Sequence, residues 1–146
     1  MNDTSNFLFV YGTLRPGFDN AFAQSLRQQA RYVGEGRFPG LLYDLGNYPG
    51  AVYQAGSATA VVGSLYDLGQ NQEAVLRYLD VYEGVGNEFD PPTEYIRIII
   101  PVTSDSDGQT NTVSCWAYVY NHSVVNKPII RSGDYRLFLQ NRDYTD

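Results

Sequence analysis

Two strand-like stretches in the second half of the chain do most to fix what it can become. Tyr95 to Thr103 carries Ile96, Ile98, Ile99, Ile100 and Val102, β-branched side chains that are stiff at χ1 and suit a pleated surface. Val113 to Tyr120 alternates. Val113, Cys115, Ala117 and Val119 fall on one face, and Ser114, Trp116, Tyr118 and Tyr120 on the other. Between them the polar stretch Ser104 to Thr112, with Asp107-Gly108 inside it, predicts a hairpin loop.

Further strands are expected from the flanking sequence. Phe7-Leu8-Phe9-Val10 is a continuous apolar run ending just before a Gly, which suits a strand buried on both faces. It leads into Tyr11-Gly12-Thr13-Leu14-Arg15-Pro16-Gly17, where Gly12 eases the turn and Pro16-Gly17 closes it. A loop of free backbone N–H groups there would suit an anion or an oxyanion. Asn20 to Ala30 has Phe22, Leu26 and Ala30 at helical spacing, with Asp19 or Asn20 as cap. Tyr32 to Phe38 reads as a strand broken by Gly34 and Gly36, Gly40 to Gly46 as a short strand, and Tyr48-Pro49-Gly50 as a turn. Thr59 to Leu68 is a strand whose Gly63 marks a bulge or a close backbone approach. Asn71 to Glu83 is the clearest helix, capped by Asn71 and ended at Gly84. After Ser132-Gly133-Asp134, Tyr135 to Gln140 reads as a short helical tail. No linker or repeat divides residues 1–146, so one domain is expected. Strands and helices do not alternate as βαβ units. The expected class is α+β, a strongly twisted or barrel-like sheet with helices around it.

Composition narrows the chemistry. A net charge of −6 disfavours nucleic-acid binding, which needs a Lys/Arg surface, so the thirteen tyrosines read as strand and pocket residues. No apolar stretch is long enough to span a bilayer, and Met1 to Asn6 is polar without a signal-peptide core. A cytoplasmic protein is expected. One Cys and one His leave no disulfide framework and no site needing two histidines, so no metal is expected. Cys115 reads as a small buried apolar residue and His122 as a loop residue. Catalysis falls to carboxylates, hydroxyls, Arg/Lys and backbone groups.

One carboxylate stands out. Leu76, Leu79 and Glu83 share one stripe of the Asn71–Glu83 helix, so Glu83 points near the buried side at the helix end. Burial and the helix dipole both favour its protonated form, which suits general-base work near neutral pH. Alternatively Glu83 bends out into solvent or pairs with Arg97. Asp80 lies beside the same stripe and reads as hydrogen-bonding locally.

Several segments, in this order, resemble the γ-glutamylcyclotransferase-like superfamily, including its avirulence-induced and γ-glutamylamine cyclotransferase branches. They are Phe9 to Gly17; Leu45-Gly46-Asn47-Tyr48-Pro49-Gly50; Val62-Gly63-Ser64-Leu65-Tyr66; Leu79-Asp80-Val81-Tyr82-Glu83-Gly84; Tyr95-Ile96-Arg97; Ala117 to Tyr120; and Ser132 to Tyr135. The resemblance implies a small mixed β-barrel with a few flanking helices. It implies an enzyme that cyclises a γ-glutamyl amine or small γ-glutamyl peptide to 5-oxoproline and releases the amine. Glu83 would be the acid/base, and Tyr11, Gly12, Thr13, Leu14, Arg15 and Pro16 the loop that holds the γ-glutamyl part. Tyr118 and Tyr120 either line the pocket or pack. Arg15 either reaches a substrate carboxylate or is an exposed loop residue. No cofactor is implied, since the substrate's own α-amine is the nucleophile, and the only partner implied is a small molecule. Val85 to Glu94 is either a lid or an elaborated surface loop. Two other functions fit the same residues: a non-catalytic module that binds a small acidic metabolite, and a hydrolase that releases glutamate.

Overall fold

The computed structural model of the chain describes residues 5–106 and 109–143. Among these residues, six strands and three α-helices follow in chain order: β1 (Phe7–Val10), α1 (Ala21–Gln29), β2 (Arg31–Asp44), β3 (Pro49–Tyr53), β4 (Ala60–Asp67), α2 (Gln72–Glu83), β5 (Tyr95–Ser106), β6 (Gln109–Tyr120) and α3 (Tyr135–Asp143). The strand order is β3-β2-β4-β1-β6-β5, and β2 also pairs with β5. Five strands thereby close into a barrel, and β3 pairs with the far end of β2 through Gly40 to Asp44. The structure is the expected α+β barrel with flanking helices.

Strand β1 shows why its sequence is apolar without alternation. It lies between β4 and β6, antiparallel to the first and parallel to the second. Phe9 points into the barrel interior with Phe38, Val61, Leu65, Ile100 and Ala117. Leu8 and Val10 point outward to the helices, against Leu26, Val75, Leu76 and Leu79. Both faces of β1 are buried, so both need apolar side chains.

Several local expectations are corrected. Tyr32–Phe38 and Gly40–Asp44 are parts of one fourteen-residue strand, β2, with Leu45 and Gly46 beyond its end, and Pro49 and Gly50, expected in a turn, open β3. Pairing with β4, β5 and β3 along the length of β2 outweighs the glycines, and only a register shift between Tyr32 and Gly34 interrupts it. The polar stretch Ser104 to Thr112 is mostly ladder rather than loop: Val102↔Val113 is followed by paired residues out to Ser106↔Gln109. Its side chains are largely exposed, which explains their polarity, and Asp107-Gly108 lies outside the described residues. Asn71 stands at the N-cap position of α2 as expected, but its side chain makes no capping hydrogen bond. A short 3-10 turn, Gly69–Asn71, precedes the helix, and the Asn71 carboxamide donates instead to the Gln29 carbonyl at the end of α1.

At Gly63 the close-approach reading holds. A Cβ there would lie 2.4 Å from the Val10 carbonyl oxygen and 2.5 Å from the Phe9 ring. Among the described residues, no helix is long and apolar enough to cross a membrane.

Candidate active site

The turn after β1 is built from within. The Arg15 N–H donates to the Gly12 carbonyl, and the Phe18 N–H to the Arg15 carbonyl. Asn20 then ties the turn to α1. Its Oδ1 accepts the Ala23 N–H at 2.8 Å, capping the helix, and its Nδ2 donates to the Thr13 carbonyl at 2.8 Å. The N–H groups of Gly12, Thr13 and Leu14 find no backbone acceptor among the described residues. Tyr11 anchors the other side of the turn. Its buried hydroxyl donates to the Tyr118 carbonyl at 2.6 Å and accepts the Ala51 N–H at 3.1 Å.

Glu83 arrives from α2, whose buried side is Val75, Leu76 and Leu79. Gly84 ends the helix in the left-handed region at φ 72°, with its N–H on the last turn's carbonyls. The half-buried Glu83 carboxylate has no hydrogen-bond or ion-pair partner among the described residues. Arg97 is taken by Asp80, with Nε to Oδ1 at 2.7 Å and Nη2 to Oδ2 at 3.0 Å. Asp80 also accepts the Tyr118 hydroxyl at 2.6 Å. The expected alternatives are thus corrected: Glu83 does not pair with Arg97, and the side-chain bonds of Asp80 reach other strands.

A cavity of about 350 Å³ opens between these pieces. The loop side is Tyr11 to Leu14, the helix side Tyr82 and Glu83, and the far side Tyr48, Glu94 and Tyr95, with Tyr118 completing the wall. Burial, with the negative charge of Glu94, pushes the Glu83 carboxyl up to about 7. Burial foremost also raises the hydroxyls of Tyr11, Tyr95 and Tyr118, so they stay neutral. Glu83 can therefore both accept and give a proton near neutral pH, beside unpaired N–H groups suited to an oxyanion or carboxylate.

The structure brings Tyr11, Gly12, Thr13, Leu14, Glu83 and Tyr118 to one cavity. It does not bring Arg15, Pro16 or Tyr120 to its lining. Arg15 is corrected most sharply, being fully buried rather than exposed. Its guanidinium pairs with Glu35 at 2.6 Å and Asp134 at 2.9 Å and donates to Ser64 at 3.3 Å. A desolvated guanidinium needs such partners, and here the protein supplies them. Pro16 faces a separate groove against α3. Tyr120 packs edge-on against Tyr95. Sequence reasoning missed Tyr48, Tyr82, Glu94 and Tyr95 as wall residues. Three of them lie inside the recurring motifs quoted above. Glu94 ends a polar loop, and only the fold shows that it turns back on the cavity.

Comparison with known proteins gives a consistent picture. Residues 8–137 match the family described as gamma-glutamyl cyclotransferase, AIG2-like. The chain is 34% identical over 129 residues to the gamma-glutamylcyclotransferase family protein YtfP of Escherichia coli, covering 88% of this chain and 94% of that one. The crystal structure of an AIG2-like protein from Mus musculus is similar at a TM-score of 0.63 and 26% identity, over 87% of this chain and 86% of that one. YkqA from Bacillus subtilis shares the fold at a TM-score of 0.66 and 21% identity; the match spans 95% of this chain and 42% of that longer protein.

Proposed function

The chain belongs to the gamma-glutamyl cyclotransferase, AIG2-like family, and from that premise we propose that it cyclises a γ-glutamyl amine or small γ-glutamyl peptide to 5-oxoproline. The observation that carries this reading is the Glu83 carboxylate, unpartnered, poised near neutral and set across a cavity from the Gly12–Leu14 backbone.

In the proposed reaction the substrate's α-nitrogen attacks its own γ-carbonyl. The new C–N bond forms as the carbonyl π electrons move to oxygen, and the Gly12 to Leu14 N–H groups support either that oxyanion or the substrate's α-carboxylate. Holding the substrate folded makes the attack intramolecular, so the protein supplies no nucleophile and no cofactor. Glu83 takes a proton from the α-nitrogen and returns it to the departing nitrogen as the amide C–N bond breaks. From α-ammonium to product, two protons leave the α-nitrogen and two arrive on the released amine. Glu83 carries one and solvent exchanges the other. Arg15 belongs to the loop's support in this reading, and Tyr11 to its anchoring.

The test is a panel of γ-glutamyl amines and peptides with products read by mass spectrometry. 5-Oxoproline with the free amine is expected, and Glu83→Gln should abolish it while retaining binding. Release of glutamate instead would mean hydrolysis. Binding without any product would favour a metabolite-binding module.

A further inference from the structure

The charge inventory of the cavity is one-sided. Among the described residues its wall holds two carboxylates, Glu83 and Glu94, and no Lys, Arg or His. The two nearby guanidiniums are committed elsewhere. Arg15 lies in its ion pairs with Glu35 and Asp134. Arg97 is gripped by Asp80 and stacks 4.4 Å over the Trp116 ring. Releasing either would take its guanidinium from a partly buried carboxylate, Asp134 or Asp80.

Glu94 is also fixed in place. The Tyr48 hydroxyl donates to its Oε2 at 2.6 Å. Its own carbonyl accepts the Asn121 N–H at 2.7 Å, and the Asn121 carboxamide holds the neighbouring Thr93 carbonyl at 3.0 Å. The end of the Val85–Glu94 stretch is thus pinned to the chain leaving β6. A single hydroxyl leaves most of the acceptor capacity of a carboxylate unused.

The two acids cannot share one task. The α-nitrogen must be an uncharged amine to attack, and a permanent anion beside it would hold it as the ammonium. Glu83, whose protonation is balanced, suits that position. Glu94, fixed by Tyr48 on another stretch of the same wall, suits charge on the other part of the substrate, the part that leaves.

Resting on the cyclisation reading above, we infer that Glu94, held by Tyr48, is a specificity-determining residue that selects γ-glutamyl donors whose leaving part carries a second positive charge over those whose leaving part carries a carboxylate. A diamine joined through one nitrogen to the γ-carbonyl has the required chemistry. Its free ammonium neutralises Glu94, whereas a leaving part ending in a carboxylate adds a further anion to those of the wall and of the donor's own α-carboxylate, with no cationic side chain among the described lining residues to meet it.

The experiment compares three donors of matched length: γ-glutamyl-1,4-diaminobutane, γ-glutamyl-pentylamine and γ-glutamyl-4-aminobutyrate. The cationic donor should exceed the neutral one in kcat/KM by about tenfold, the neutral donor should exceed the anionic one, and Glu94→Gln should bring the three together. Glu94→Lys should invert the order, and Tyr48→Phe should narrow it. An order that survives Glu94→Gln, or equal losses for all three donors, would overturn the assignment; equal losses would mean that Glu94 serves the common γ-glutamyl part. If none of the three yields 5-oxoproline, the cyclisation reading fails separately. The same ranking is then read as dissociation constants on Glu83→Gln protein by calorimetry. A cation-over-anion preference that depends on Glu94 upholds the selectivity, and its absence there overturns it.

Discussion

Asp80 and Glu83 lie one helical turn apart on α2, and Asp80 holds the Arg97 guanidinium while Glu83 has no ion-pair partner among the described residues. The same arrangement that settles one carboxylate leaves the other free to exchange a proton.

The first consequence is a pH profile. Only the ionised form of Glu83 accepts a proton, so kcat/KM should rise with pH through about 7. The tyrosine hydroxyls around it stay neutral there, and Glu94 is the charge that acts on it. Removing that charge by Glu94→Gln should move the limb to lower pH. The same substrate in both proteins makes the displacement a report on Glu83, and a limb that stays put would detach Glu94 from it.

Stability should show the opposite trend. A carboxyl raised above its unfolded value contributes stability that is complete below the unfolded pKa, near 4.5, and lost as pH rises through about 7. Glu83→Gln has no such loss. At pH 8 it should be more stable than the parent by about 1–3 kcal/mol, with the gap closing toward pH 5, as followed by urea denaturation.

Arg15→Met should cost about 1–3 kcal/mol, because it takes a buried guanidinium from Asp134 and from Glu35, which keeps Arg136 at 3.4 Å and the Tyr32 and Ser64 hydroxyls. Burial works to raise the Glu35 carboxyl, but hydrogen bonds from Ser64, Tyr32 and Arg15 and the charge of Arg15 hold it below its ordinary value. That depressed group contributes stability above its unfolded pKa and loses it as pH falls. The acid-side loss of stability should therefore shrink in Arg15→Met, measured by denaturation at pH 3 and pH 7.

Asp80→Asn should destabilise by about 1–3 kcal/mol and lower kcat, since α2 would lose its clamp to β5 and β6 just before Glu83. A double-mutant cycle with Arg97→Met should return a coupling of about 1 kcal/mol or more. Additive effects would show that the pair does not act as a unit.

The sequence was a good guide wherever one local rule decided the outcome. Asn20 caps α1, Gly84 ends α2, and the β1 run is buried on both faces, each for the reason its residue type suggests. Glu83 on an apolar stripe was legible for the same reason. What was not legible depends on partners distant in sequence. Arg15 resembles any loop arginine until Glu35, Ser64 and Asp134 are brought around it by β2, β4 and the start of α3. Asp80 and Arg97 are seventeen residues apart, and no periodicity predicts that they meet. Glu94 became a wall residue only because its loop is stitched back to Asn121.

The Asn20 carboxamide has two ends, and each holds a different piece of the molecule. Its oxygen starts α1 and its nitrogen grips the Thr13 carbonyl. The readiness of the loop and the integrity of the helix are therefore one cooperative event. Whatever stiffens the turn after β1 should stiffen the first turn of α1, and fraying of that helical turn should loosen the Thr13 end of the loop.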